Sequence, residues 1–405
     1  MTMGGSLDQA RALMMIPQSV VYLNAGSFGP LPRSVYETVA GFRHELACDP
    51  AAFLLRRVPG LLWHARTCLA DHVGCDAHRL AFSTSVSAAV SMIAASLELC
   101  TPGEILLSDQ EYQTMRWCWE RVAARTGLRL RTFGLPSGAC TEDDLLDSAV
   151  REMRATTRLV FFSHVISGTG VILPAARICE QAQARGIVSV VDGAHAIGAI
   201  PVVLRDIPCD FYVGSCHKWL LAPSGSSFLY MGRAGEARLH PQTISWGDGP
   251  DRAAESPGQD VPDIHGSTPR LRRLECEGTR DICPWLAVPD AVAFHRAIGV
   301  NRMLAYRRTL AQDARARLEA LKGVEAATGS ATEATNGMMG FALPRGVAAG
   351  AVQRMLWEHY RIEVSVGGLG DRGMLRVAPH AYNTATDIAV LADGLERVLH
   401  ALREP

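Results

Sequence analysis

The sequence predicts an α/β protein: a mostly parallel sheet covered by helices on both faces, followed by a smaller C-terminal α+β lobe. Three observations predict it. Short apolar runs alternate with amphipathic stretches through the first 235 or so of 405 residues. Several of those runs end in ionisable residues. Beyond them the alternation breaks at a stretch rich in Pro, Gly, Asp and Ser, and long helical sequence follows. Strands of four to seven residues separated by helices are the pattern of a buried parallel sheet.

The predicted strands are 79–83 (RLAFS), 104–108 (EILLS), 158–163 (RLVFFS), 187–192 (IVSVVD), 210–214 (DFYVG) and 227–231 (SFLYM). Amphipathic helices are predicted at 111–126 and at 174–185, the latter with Pro174 in its first turn. Residues 241–270 read as a long functional loop or lobe junction. A long helical region is predicted over 284–322, then shorter alternating segments. The chain thus divides into an N-terminal segment (1–20) packing on the small domain, a large domain (21–270), and a part (271–405) with an interface segment, a long helix and the small C-terminal domain. A chain of this length can support two lobes.

Composition narrows the function classes. Hydrophobic residues make up 48% and charged residues 20%, with a net charge of −1, so nothing favours nucleic acid or an anionic membrane as partner. The N-terminus lacks a charged and then apolar leader, and no apolar run approaches the ~18 residues of a membrane span, so a cytoplasmic location is expected. Eleven cysteines, none in a C-x-x-C pair, point to free thiols rather than disulfides or a metal site.

Open α/β sheets bind ligands beyond the carboxyl ends of their strands, and three predicted strand ends carry polar chemistry. One runs into Asp192-Gly193-Ala194-His195. Another runs into Ser215-Cys216-His217-Lys218, and a third into Ser163-His164, followed by Ser167-Gly168-Thr169-Gly170. A lysine desolvated beside His217 and Trp219 can act as a Schiff-base nucleophile. An aspartate sharing its crevice can hold a pyridinium nitrogen protonated. Together they meet the requirements of pyridoxal 5'-phosphate (PLP). Singly, each residue has a plainer explanation: a helix-capping aspartate, a core histidine at His164 or His195, a core tyrosine at Tyr112. Their order along the chain favours the joint reading.

At these residues the sequence resembles the class V group of fold-type I PLP enzymes, from Tyr22 to about Asp393. "VVDGAHAIG" is similar to the D-x-A-H/Q segment of that family. The resemblance puts Asp192 at the pyridine nitrogen and His195 at the phenolic oxygen of the cofactor. "GSCHKWL" resembles the S-x-H-K signature, with Lys218 as the internal aldimine, Ser215 and His217 holding the phosphate, and Cys216 as packing. "FSTSVSAAV" resembles the loop-to-helix phosphate site, which implies the N–H groups of Val86 and Ser87 and the Ser87 hydroxyl. Tyr112 falls at the position that stacks on the ring. Arg376, in "MLRVAPHAYNT", falls at the clamp for the substrate α-carboxylate, with Asn24 and Arg280 as further substrate contacts. Family dimers imply a homodimer in which Thr279 reaches the phosphate of the neighbouring subunit.

The sub-motifs "YLNAGSFGPLPRSV", "HKWLLAPSG" and "CEGTRDICPWLAVP" are similar to isopenicillin N epimerase-like proteins. Cysteine desulfurases carry a nucleophilic Cys shortly before the carboxylate-binding Arg, whereas "EVSVGGLGDRGMLR" has none, and Ser167 stands where they carry Asn. The resemblance therefore implies an amino-acid epimerase or racemase of specialised metabolism, working through a Lys218 aldimine and a quinonoid. A C–S lyase acting on a cysteine S-conjugate and a decarboxylation-coupled deaminase are the alternatives; an aminotransferase or desulfurase is less favoured. Epimerisation needs a second acid, and Tyr112, His195, His240 and His265 all stay open for it.

Overall fold

The computed structural model describes residues 7–136, 138, 140–245, 262–329, 334–369 and 372–403. Its strands, in chain order, are β1 (Val21–Tyr22), β2 (Leu80–Ser83), β3 (Glu104–Ser108), β4 (Arg129–Phe133), β5 (Thr157–Ser163), β6 (Val188–Asp192), β7 (Phe211–Ser215), β8 (Ser227–Met231), β9 (Glu325–Ala326), β10 (Met339–Ala342), β11 (Ile362–Glu363), β12 (Ser365–Leu369) and β13 (Arg372–Val377). A seven-stranded sheet has the order β2-β8-β7-β6-β5-β3-β4. β8 runs antiparallel to both neighbours, and the block from β7 to β4 is parallel. Every residue of β2, β3, β6, β7 and β8 is buried, as strands covered on both faces require.

All six predicted strands are present. β4 is the one strand of this sheet the sequence does not announce: it reads R-L-R-T-F and lies at the sheet edge, with Arg129 and Thr132 exposed. Helix Gln113–Thr126 matches its prediction. Pro174 stands as the cap immediately before helix Ala175–Gln183 rather than inside its first turn. The helical region predicted over 284–322 is broken by Gly299, whose φ of 92° suits glycine, into Val288–Ile298 and Val300–Glu319. Of the loop predicted at 241–270, residues 246–261 lie outside the described residues, and Pro269 already opens helix Pro269–Glu275.

That helix is tied to β2 by a buried ion pair. The Arg66 guanidinium donates to both carboxylate oxygens of Glu275 at 2.6 and 2.7 Å, and Glu275 also accepts the Phe82 N–H at 2.6 Å. Cys283, Trp285, Val288 and Val292 join the apolar core of the large sheet, whereas the second core gathers Leu310, Phe341, Leu356, Leu375 and Leu395 together with Leu23. Residues 271–292 thus pack with the large domain, and the change of core falls later than position 271. The N-terminal segment contributes Met14 and Ile16 to a cluster with Trp219, Phe294, Met338 and Tyr382, at the junction of the lobes. All eleven cysteines are free, and no described helix is long and apolar enough to cross a membrane.

Candidate active site

The carboxyl ends of β5, β6 and β7 lie side by side. Ser163 pairs with Asp192, and Asp192 with Val213 two residues before the end of β7. The chain then turns through His217 and Lys218 and leaves through Leu221, a buried residue in the left-handed region at φ 60°. The Gly29 N–H donates to the His217 carbonyl at 2.8 Å, and a Cβ on Gly29 would stand 2.0 Å from the Lys218 carbonyl oxygen. Only glycine permits that approach. The loop 24–29 is thereby pressed against the lysine.

Lys218 is part-buried, and burial together with the Arg376 charge lowers its amine to about 8, against the opposing pull of Asp192. Asp192 is buried and accepts the Ala194 N–H at 2.8 Å; burial pushes its carboxyl up, countered by that hydrogen bond and the lysine charge. His195 Nε2 lies 3.1 Å from Lys218 Nζ, and Trp219 donates its indole N–H to His195 Nδ1 at 3.3 Å. Burial, reinforced by the charges of Lys218 and Arg376, keeps His195 neutral. The chain holds only one other lysine, the exposed Lys322 of the small lobe.

A seat for an anion stands beside this group. Ser85 caps helix Val86–Ser96, its hydroxyl accepting the Ala88 N–H at 3.0 Å. Val86 and Ser87 supply first-turn N–H groups, which have no intrahelical acceptor. Register aligns Ser83, Ser227 and Ser215 across β2, β8 and β7, and Ser215 Oγ lies 3.1 Å from His217 Nδ1.

Arg376, on β13, is buried with its guanidinium spread over three residues of two loops. Nη1 donates to the carbonyl and hydroxyl of Ser167 at 3.0 and 3.2 Å; Nη2 donates to Ser27 Oγ at 2.6 Å and faces Asn24 Oδ1 at 3.4 Å. Its Nε is buried without a partner among the described residues. Burial lowers it to about 10, so it stays cationic. Asn24 is fixed in turn by donating to Glu363 at 2.9 Å. Ser167, expected at the cofactor, is in contact with Arg376 through both its carbonyl and its hydroxyl.

Tyr112 precedes helix Gln113–Thr126 and is 53% exposed, and its phenol exerts an electrostatic influence on Arg376. Thr279 is exposed. Arg280 lies over the Trp285 ring at 4.0 Å and pairs with Glu277, so no described contact joins it to Lys218 or Arg376. His240 pairs through its backbone with Ser96, at the far end of an 11-residue helix whose start is the anion seat, roughly 16 Å away along the axis. His265 packs over Gly60. His164 is a buried histidine, its Nδ1 2.9 Å from the Tyr212 hydroxyl. Sequence reasoning missed Ser27 and Glu111, although Ser27 sits in the quoted "YLNAGSFGPLPRSV" and Glu111 opens the helix predicted at 111–126.

An amine of lowered pKa, a buried carboxylate, helix N–H groups beside a Ser–His pair, and a guanidinium with donors to spare converge on one crevice. They suit a Schiff base, a pyridinium, a phosphate and an amino-acid carboxylate respectively. The donor set fits PLP. Fold and site are those of an α/β enzyme built around a part-buried lysine, with helix N–H groups and a buried guanidinium at the same strand ends.

The chain belongs to the class-V aminotransferase family, whose model, described as Aminotransferase class-V, matches residues 54–391. It is 50% identical to an isopenicillin N epimerase of Streptomyces clavuligerus over 96% of this chain and 97% of that protein. It is 46% identical to an isopenicillin N epimerase of Amycolatopsis lactamdurans, covering 96% and 98%. The fold is shared with the solved apo cysteine desulfurase of Thermococcus onnurineus NA1, at a TM-score of 0.81 and 20% identity, covering 97% and 98% of the two chains.

Proposed function

We propose that the protein is a PLP-dependent amino-acid epimerase whose substrate is isopenicillin N or a close analogue. The observation that carries the reading is the convergence of Lys218, Asp192 and Arg376 in a chain half identical, over almost its whole length, to an isopenicillin N epimerase. Bound as a Schiff base, PLP supplies an electron sink that acidifies the substrate Cα–H. Arg376 holds the α-carboxylate and so orients the Cα–H bond toward Lys218. The lysine amine, near neutrality in pKa, takes and returns the proton on its side. Asp192 keeps the proton on the pyridine nitrogen, and Val86, Ser87, Ser215 and His217 hold the phosphate.

Inversion needs a second proton carrier. We favour Tyr112 or His195 for it, since His240 is tied to Ser96 at the far end of helix Val86–Ser96 and His265 packs over Gly60. The protein works as a homodimer, with the exposed Thr279 serving the phosphate of the neighbouring site. A cysteine desulfurase reaction, with a persulfide formed on a cysteine near Arg376, is disfavoured, since residues 363–376 contain none. Incubation with isopenicillin N in heavy water tests the reading by chiral chromatography and mass spectrometry. Recovery of both epimers with Cα deuterium is expected; release of an α-keto acid, or no exchange, overturns it.

A further inference from the structure

His195 touches Lys218 with one ring nitrogen and Trp219 with the other, and the chemistry of the indole decides which nitrogen carries the proton. An indole N–H donates and never accepts. Nδ1 of His195, 3.3 Å from Trp219 Nε1, is therefore the unprotonated nitrogen. The neutral ring then carries its hydrogen on Nε2, 3.1 Å from Lys218 Nζ, which accepts it as the neutral amine. A protonated imidazole would set two N–H groups against each other at Nδ1.

Trp219 cannot easily turn out of this role, because it is fully buried and held from three sides. His380 stacks on its ring at 6.2 Å and 24°, and donates through Nε2 to the Trp219 carbonyl at 3.0 Å. That donor is itself fixed, since His380 Nδ1 accepts the Ala381 N–H at 2.8 Å. The buried Arg307 lies 5.2 Å from the centre of the indole and donates to the carbonyls of Ala199 and Asn336. Asn336 closes the cage by donating to the His195 carbonyl at 3.2 Å. Gly198, at φ 77°, lets the 193–198 turn lie on the backbone of Trp219 and Leu220, where a Cβ would come within 2.7 Å.

We propose that Trp219 is a positioning residue that locks His195 in its Nε2–H form, making it a permanent neutral donor at the Lys218 side of the site and not a proton carrier. The catalytic group is His195; Trp219 acts through it. One consequence rests on the epimerase reading above: His195 is then excluded as the second acid, which leaves Tyr112. The tautomer itself does not depend on that reading.

The test is ¹⁵N spectroscopy of the histidine-labelled holoenzyme, with the His195 signals assigned by their loss in His195→Gln. The expected spectrum has an unprotonated Nδ1 and a protonated Nε2, unchanged down to pH 5.5. Protonated Nδ1, or conversion to imidazolium in that range, overturns the proposal. Trp219→Phe keeps the ring stacking and removes the donor. It should release the tautomer to a mixture and lower kcat about three- to tenfold with little change in KM. An unchanged His195 spectrum in that variant also overturns the proposal. Should Trp219→Phe fail to fold, the wild-type spectrum alone decides.

Discussion

Ser163 donates both its backbone N–H, at 3.0 Å, and its hydroxyl, at 2.6 Å, to the carboxylate of Glu111. Ser163 pairs with Asp192 in the sheet, so the residue before Tyr112 is anchored at the strand ends that form the site. Burial, with the Asp192 charge adding to it, raises the Glu111 carboxyl from its ordinary 4.5 to about 7, although Ser108 and Ser163 donate to it. A carboxyl raised on folding stabilises the fold fully below its unfolded value, and that contribution is lost as pH rises through its folded value. Between pH 5 and 8 the wild type should therefore lose about 2–3 kcal/mol that Glu111→Gln does not. Urea denaturation of both proteins across that range checks it, and parallel curves would refute the assignment.

Arg376 depends on Ser27, an acceptor it finds across the lobe junction at 2.6 Å. Removing that oxygen in Ser27→Ala loosens the guanidinium without touching Lys218. KM for the amino acid should rise about tenfold with kcat nearly unchanged. Arg376→Lys keeps the charge and loses the planar fork, so kcat/KM should fall by about a hundredfold or more. Steady-state kinetics separate the two, and an unaltered KM in both variants would take the clamp away from Arg376.

The Arg66–Glu275 pair is almost fully enclosed. Deleting one partner leaves a buried charge, so Glu275→Ala should destabilise the protein by about 3–5 kcal/mol. Replacing both at once, Arg66→Met with Glu275→Leu, should recover much of that loss. Equilibrium unfolding of the single and double variants measures it. Additive losses would mean that the pair is not coupled.

The buried strands were legible because apolar, often β-branched or aromatic runs such as Val188–Val191 and Leu159–Phe162 have few other uses. The ends of those strands carried the site: Asp192, Ser215, His217 and Lys218 stand where an open sheet presents its chemistry. Lysine usage adds a signal that composition alone could have given, since only two of forty Lys and Arg residues are lysines and one is Lys218. What stayed hidden was set by tertiary partners. Ser27 becomes an acceptor only because β13 brings in a residue 349 positions away. Glu111 is an ordinary helix-flanking acid until Ser108 and Ser163 close on it. β4 was lost because an edge strand need not be apolar, and the switch of core after Val292 leaves no mark in a continuous helical pattern.

Covalent attachment of the cofactor is the most direct check on the whole reading, and the scarcity of lysine makes it clean. Holoenzyme reduced with borohydride, digested and analysed by mass spectrometry should carry one pyridoxyl group per chain, on the peptide containing Lys218. Lys218→Ala should lose that tag together with the yellow Schiff-base absorbance near ~420 nm. A tag on Lys322 or on the chain terminus, or a reduced protein with none, would rule out Lys218 as the anchor and the mechanism built on it.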